Sequence, residues 1–209
     1  KQPNVIIFLV DDLGWADISL RGAPIDTPAI DSLFSEGLTL DRFYTTPICS
    51  PTRAALMTGR DPLRLGISYS VVMPWMNNGV HPDEHFMPES FKAAGYQTAM
   101  VGKWHLGSTP QGYDYYDVLK GQGPYYNPPM ITAGEDGQPV TRKHTGYTTE
   151  IITDKLLDWM TEKRDPQKPF MVMYQHKAPH RNWMPAPKYL NWLDDVTLPE
   201  PETMYDDYS

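Results

Sequence analysis

Two short apolar runs limit what this chain can fold into. Val5-Ile6-Ile7-Phe8-Leu9-Val10 near the front and Pro169-Phe170-Met171-Val172-Met173-Tyr174 near the back show no apolar–polar alternation. A strand with one wet face alternates with period two. A run that is apolar throughout suits a strand covered on both faces, as in a parallel sheet between helices. Helix signals separate these runs from further strands. Thr27-Pro28 supplies an N-cap and a first-turn proline, and Gly37 a stop, for a helix near residues 28–36. Residues 38–44 read as a second strand, 51–58 as the helix after it, 87–94 as a helix stopped by Gly95, and 98–101 as a short strand. Residues 148–163 form the strongest helical pattern, with Ile152, Leu156 and Trp159 on one face. The Gly-, Pro- and Tyr-rich stretch 107–145 has no period and reads as a long surface excursion. Strands alternating with helices imply an α/β fold with a mostly parallel sheet flanked by helices.

Composition narrows the classes. At 209 residues with 40% hydrophobic and 12% aromatic content, the chain can bury a real core. A net charge of −8 argues against nucleic acid as a partner. No apolar run approaches the length that spans a membrane. The chain opens at Lys1, just before a strand, which reads as a mature or trimmed start.

In parallel sheets, functional groups collect beyond the carboxyl ends of the strands. The polar clusters fall there: Asp11-Asp12, Cys49, Lys103 with His105, and His176. Adjacent carboxylates repel unless a cation lies between them; a hard divalent ion with oxygen ligands suits the pair, and a turn cap is the plainer reading. Cys49 is the only cysteine, so it cannot pair within the chain; it is either a small buried hydrophobe or a residue kept for its chemistry. Lys103 and His105 are two apart and would share a side on extended backbone. The His176–His180 spacing could suggest a helical zinc pair, but Pro179 disfavours a helix there. Tyr113, Tyr115, Tyr116, Tyr125 and Tyr126 could form a sugar-stacking wall or pack locally.

The segment Cys49-Ser50-Pro51-Thr52-Arg53-Ala54-Ala55-Leu56-Met57-Thr58-Gly59-Arg60 resembles the sulfatase signature, C-x-P-x-R followed by x-x-L-x-T-G-[RK]. Thr52 stands where serine is more frequent. Asn4-Val5-Ile6 through Asp11-Asp12-Leu13-Gly14, and Gly102-Lys103-Trp104-His105-Leu106-Gly107, resemble further segments of that family. The resemblance implies the alkaline-phosphatase/sulfatase-like fold and a sulfuric ester hydrolase. It implies oxidation of Cys49 to formylglycine by a maturation enzyme, and Ca2+ held by Asp11, Asp12 and residue 49. Arg53 and Lys103 would hold the hydrated aldehyde and the sulfate, and His105 would help deprotonate the hydrate. His176 would protonate the departing sugar oxygen, and His180 and Arg181 would join Lys103 and His176 in binding substrate. The later calcium ligands and second sulfate-binding lysine of the family have no counterpart after His180, so residues 1–209 read as the front part of one catalytic domain. A sulfated carbohydrate is the implied partner. The implied compartment is the periplasm or the exterior, or the lysosome in a eukaryote.

For the substrate, residues 65–75 look like the arylsulfatase B branch, which acts on sulfated N-acetylgalactosamine. Gly121-Gln122-Gly123, Tyr125-Tyr126-Asn127-Pro128 and residues 177–185 look more like bacterial glucosamine-6-sulfatase relatives, which favours a hexosamine 6-sulfate. A galactosamine 4-sulfatase, a general arylsulfatase, a formylglycine-dependent phosphonate or phosphodiester hydrolase, and a non-catalytic glycan-binding remnant are the alternatives.

Overall fold

The computed structural model describes residues 2–67, 70–73, 75–76 and 78–206. Ser68, Tyr69 and Pro74, within the 65–75 stretch read above as arylsulfatase-B-like, lie outside the described residues. The framework is a six-stranded sheet: β1 (Val5–Asp11), β2 (Gln97–Gly102), β3 (Tyr115–Leu119), β4 (Pro129–Ala133), β5 (Pro139–Lys143) and β6 (Phe170–Pro179). Spatially the order is β1-β6-β2-β3-β4-β5. β1, β6, β2 and β3 run parallel; β4 and β5 add antiparallel strands.

The helices are α1 (Pro28–Glu36), α2 (Cys49–Thr58), α3 (Met87–Ala93) and α4 (Thr148–Asp158), the last continued by a wider turn over Trp159–Lys163. Strand alternation splits the core into two layers. Met100, Met171 and Met173 pack with Ala54 and Met57 of α2 on one face. Ala99, Val101, Phe170 and Val172 pack with Ile152 and Leu156 of α4 on the other. Ala99–Val101 of β2 and Phe170–Met173 of β6 are therefore apolar and buried on both faces, as their sequence demanded.

Three expectations need correction. Residues 38–44 form no strand: Leu38, Leu40, Phe43 and Tyr44 are exposed, and no described strand offers them a ladder. Residues 107–145 are not a mere excursion, because β3, β4 and β5 lie within them and extend the sheet. Cys49 consequently follows irregular chain rather than a strand, and α2 begins at Cys49 itself, with Pro51 in its first turn. Thr27 does stand at the N-cap of α1, but its hydroxyl turns to Ser19 and Asp31 instead of the helix backbone.

Candidate active site

The carboxyl ends of β1, β6 and β2 lie side by side, and the charged groups meet there. Asp11 closes β1 and is buried. One of its oxygens accepts from Arg53 Nη2 at 3.2 Å; the other accepts from Lys103 Nζ. Arg53 is carried in from α2 and also donates through Nη1 to the Lys103 carbonyl at 2.6 Å and to Gln175 Oε1 on β6. Burial alone would raise the Asp11 pKa, but the cations beside it hold its carboxyl below the usual range. Burial pulls Lys103 down, and Asp11 opposes that. Arg53 keeps its charge at any ordinary pH. The cluster therefore holds two cations around one anion, an excess of positive charge suited to an oxyanion.

Lys103 is placed by glycine. Gly102 has φ +108°, and a Cβ there would lie 1.8 Å from the Gln175 carbonyl oxygen. That close approach lets the Lys103 amide donate to the same carbonyl at 2.8 Å. His105 also has positive φ, +56°, so the backbone is not extended between the two residues. Both still reach one site: His105 Nδ1 lies 3.4 Å from Cys49 Sγ. Ser50 fixes this pairing, donating to the His105 carbonyl at 2.9 Å and accepting from the Val72 amide at 3.0 Å. Burial, followed by repulsion from Lys103 and Arg53, lowers His105 to about 4. At neutral pH its imidazole is uncharged and can take a proton. Cys49, Asp11, Asp12, Thr46, Thr52 and Arg53 line a cavity of about 430 Å³.

Asp12 is left-handed, φ +63°, and its carboxylate faces His180 Nε2 at 3.6 Å. His180 Nδ1 lies 2.5 Å from the Arg181 carbonyl; a carbonyl only accepts, so Nδ1 carries the proton and Nε2 is the nitrogen turned toward the site. His180 and Arg181 share a second cavity, about 410 Å³, with Lys177, Tyr125, Gln122 and Asn182.

His176 is not brought into this cluster. It sits two residues after Tyr174, whose hydroxyl meets Thr153 of α4 at 2.7 Å. Its ring packs against Tyr174 and Phe8, at 4.4 and 5.6 Å between centroids. Gln175, on the alternate face, is the residue that meets Arg53. Burial alone lowers His176 to about 4. Sequence reasoning also missed Ser50, Gln175 and Lys177. Gln175 and Lys177 were the detectable ones: polar residues two apart at the end of a run otherwise built for burial. The tyrosines do not form an open stacking wall. Tyr125 and Tyr147 stack on each other at 6.2 Å, with Tyr126 edge-on to Tyr147.

Among the described residues no group of three or more His, Cys, Asp or Glu is arranged around a metal position. Asp11 and Asp12 have the oxygen chemistry calcium takes, but calcium draws on six to eight oxygens and Asp11 is already paired with two cations. These residues supply part of such a site.

A family profile described as Sulfatase matches residues 3–196. The chain is 41% identical to the N-acetylglucosamine-6-O-sulfatase of Bacteroides thetaiotaomicron, over 100% of this chain and 36% of that protein. It is 35% identical to the N-acetylgalactosamine-6-sulfatase of Mus musculus, over 86% of this chain and 40% of that one. A solved structure described as a complex with the substrate D-glucosamine-2-N,6-O-disulfate superposes with a TM-score of 0.85 at 40% identity, covering 100% of this chain and 41% of that chain. The chain thus spans well under half the length of these relatives.

Proposed function

Because the chain belongs to the sulfatase family, we propose that it is the front part of a sulfuric ester hydrolase that removes the 6-sulfate of an N-acetylglucosamine or glucosamine unit in a glycan. The observation that carries this reading is Cys49 at the first position of α2, with its Sγ 3.4 Å from His105 Nδ1 and the Asp11–Arg53–Lys103 cluster in the same recess. The substrate assignment rests on the 41% identity to a 6-O-sulfatase, which extends over the whole chain.

Formylglycine made from Cys49 would supply, as its hydrate, one hydroxyl to attack sulfur and a second whose deprotonation lets sulfate depart. The residues present act around that chemistry. Arg53 and Lys103 offer positive charge to the sulfate oxygens as charge builds on them. His105, uncharged at neutral pH and fixed by Ser50, accepts a proton from the group at position 49. His180, not His176, stands on the substrate side and gives its Nε2 proton to the departing sugar oxygen after taking one from solvent. Arg181 and Lys177 line the sugar side. Asp11 and Asp12, with residue 49, would contribute to a calcium site completed from elsewhere in the enzyme, and none of these roles is routed through the ion. The enzyme would work outside the cytoplasm, where sulfated glycans occur; among the described residues no helix is long and apolar enough to cross a membrane.

The test is sulfate release by the full-length, natively matured enzyme from defined sulfated monosaccharides, with mass spectrometry of the peptide that contains residue 49. Release from glucosamine 6-sulfate with sulfur lost from residue 49 is the expected result. An unmodified thiol in active native protein refutes the nucleophile. Preference for galactosamine sulfates moves the substrate toward the N-acetylgalactosamine relatives, and phosphate ester turnover with inert sulfates moves the enzyme out of the class.

A further inference from the structure

The segment that presents His180 and Arg181 has almost no backbone framework of its own. After the His180 amide donates to the Lys177 carbonyl at 3.0 Å, no backbone–backbone hydrogen bond holds residues 181–185 among the described residues. These five residues are exposed. A segment so placed would ordinarily sample many conformations, because ordering each residue costs backbone entropy.

Its carbonyls are instead taken up by side chains from one cluster. Tyr125 Oη donates to the His180 carbonyl and Tyr126 Oη to the Pro185 carbonyl, each at 2.5 Å. Tyr147 Oη donates to the Met184 carbonyl at 2.9 Å. The three rings support one another, Tyr147 stacked on Tyr125 and edge-on to Tyr126. Lys177 completes the set, its Nζ 4.9 Å above the Tyr125 ring and 3.5 Å from the Arg181 carbonyl.

The cluster is anchored to the fold on its other side. Tyr126 and Tyr147 bridge in antiparallel fashion, and the Asn127 amide donates to the Gly146 carbonyl at 2.8 Å. The Thr148 amide donates to the Tyr125 carbonyl at 2.8 Å and the Thr148 hydroxyl to the Pro124 carbonyl at 2.6 Å. Thr148 opens α4, so the tyrosines stand on a helix that is packed into the core.

We propose that Tyr125, Tyr126 and Tyr147 form a hydroxyl clamp that fixes residues 180–185 and thereby positions His180 and Arg181 for the sugar part of the substrate. This rests on the sulfatase reading above. The three are positioning residues: each acts through the backbone it holds. The chemistry of the clamp suits this task. Burial pushes Tyr125 up to about 12, with Tyr147, Asp11 and Asp12 adding to it, so its hydroxyl keeps the proton it donates at any working pH. The clamp explains why tyrosine rather than phenylalanine occupies all three positions, since ring packing alone would not need the oxygens.

The test uses the full-length enzyme with Tyr125→Phe, Tyr126→Phe, Tyr147→Phe and the triple variant, which keep the rings and remove the donors. Hydrogen exchange of the His180 amide, which donates to the Lys177 carbonyl, should speed up in each, most in the triple. KM for the 6-sulfated sugar should rise about fivefold per single variant, the scale of one net hydrogen bond. Activity should fall more on the sugar sulfate than on nitrophenyl sulfate, which has no sugar to position. Unchanged exchange in the triple variant overturns the clamp. So does an equal loss on both substrates with a lowered melting temperature, the sign of a structural role. Exchange is read without turnover, so faster exchange in an enzyme that hydrolyses no sulfate upholds the clamp and rejects the sulfatase reading instead.

Discussion

Asp11 carries one negative charge between Lys103 and Arg53, and all three side chains are buried. Removing the anion leaves two cations desolvated and unpaired, a change that typically costs about 3–5 kcal/mol. Asp11→Asn should therefore lower the melting temperature markedly as well as abolish turnover; calorimetry separates the two, and an unchanged melting temperature contradicts the pairing. The histidines give a second expectation. His105 and His176 are both lowered from 6.5 to about 4. Between those values the unfolded chain binds protons that the folded chain refuses, so stability is full above about pH 6.5 and falls as pH drops toward 4. Each group accounts for roughly 3 kcal/mol at the acid end. His176→Phe should flatten the acid side of a melting-temperature profile while the ring still packs on Phe8 and Tyr174, and sugar sulfatase activity should persist. His180→Ala should instead cut turnover of the sugar sulfate by about a hundredfold or more, with less damage on nitrophenyl sulfate, whose leaving group needs little protonation. Equal losses on the two substrates would remove His180 from the acid role. At this scale the sequence was informative wherever a motif fixed both type and spacing: Asp11, Cys49, Arg53, Lys103 and His105 converge. His176 and His180 were harder to order, because the choice depends on the course of the chain beyond Gln175, where the register of β6 with β1 shifts and the strand ends at Pro179.

The elements deliver these side chains through a few tight passages. β2 ends at Gly102, where the chain passes so close to β6 that no side chain fits. Gly102→Ala would require a left-handed alanine and displacement of the Gln175 backbone. A cost of about 1–3 kcal/mol is expected from overpacking alone, and Lys103 would leave Asp11. Denaturant unfolding of the variant, with activity measured in parallel, checks this; a tolerated alanine would mean the two strands can separate without consequence. Legibility differed by element for a physical reason. β2 and β6 are covered on both faces and declare themselves by their apolar centres, whereas β1, whose run reads the same way, lies at the edge of the described sheet and leaves Ile6 and Phe8 exposed on one face. β5 is a solvated outer strand, Pro-Val-Thr-Arg-Lys, whose residues are mostly exposed, so nothing in its composition demanded a sheet. Residues 38–44 failed in the opposite direction: their apolar residues suggested a strand, and Leu38, Leu40 and Phe43 lie exposed along a hollow shared with Trp15 and Leu33.

Across the whole molecule, the α/β class followed from alternation, while the strand order did not. Neither periodicity nor capping tells which strand lies between which, because that is decided by packing between residues far apart in the chain. The order β1-β6-β2 also sets when the site can exist. β6 lies between β1 and β2 and supplies Gln175 to Arg53, yet it is the last of the six strands to be made. Until it emerges from the ribosome, β1 and β2 have no common neighbour, and Arg53 has no Gln175 to hold it in place. At about 5–20 residues per second, synthesis from Cys49 to Pro179 takes on the order of ten seconds. Throughout that interval the cysteine segment is nascent, unpacked chain. Under the proposed maturation of Cys49, the enzyme that oxidises it would have a deadline written into the strand order, and slowing translation ahead of β6 should raise the matured fraction.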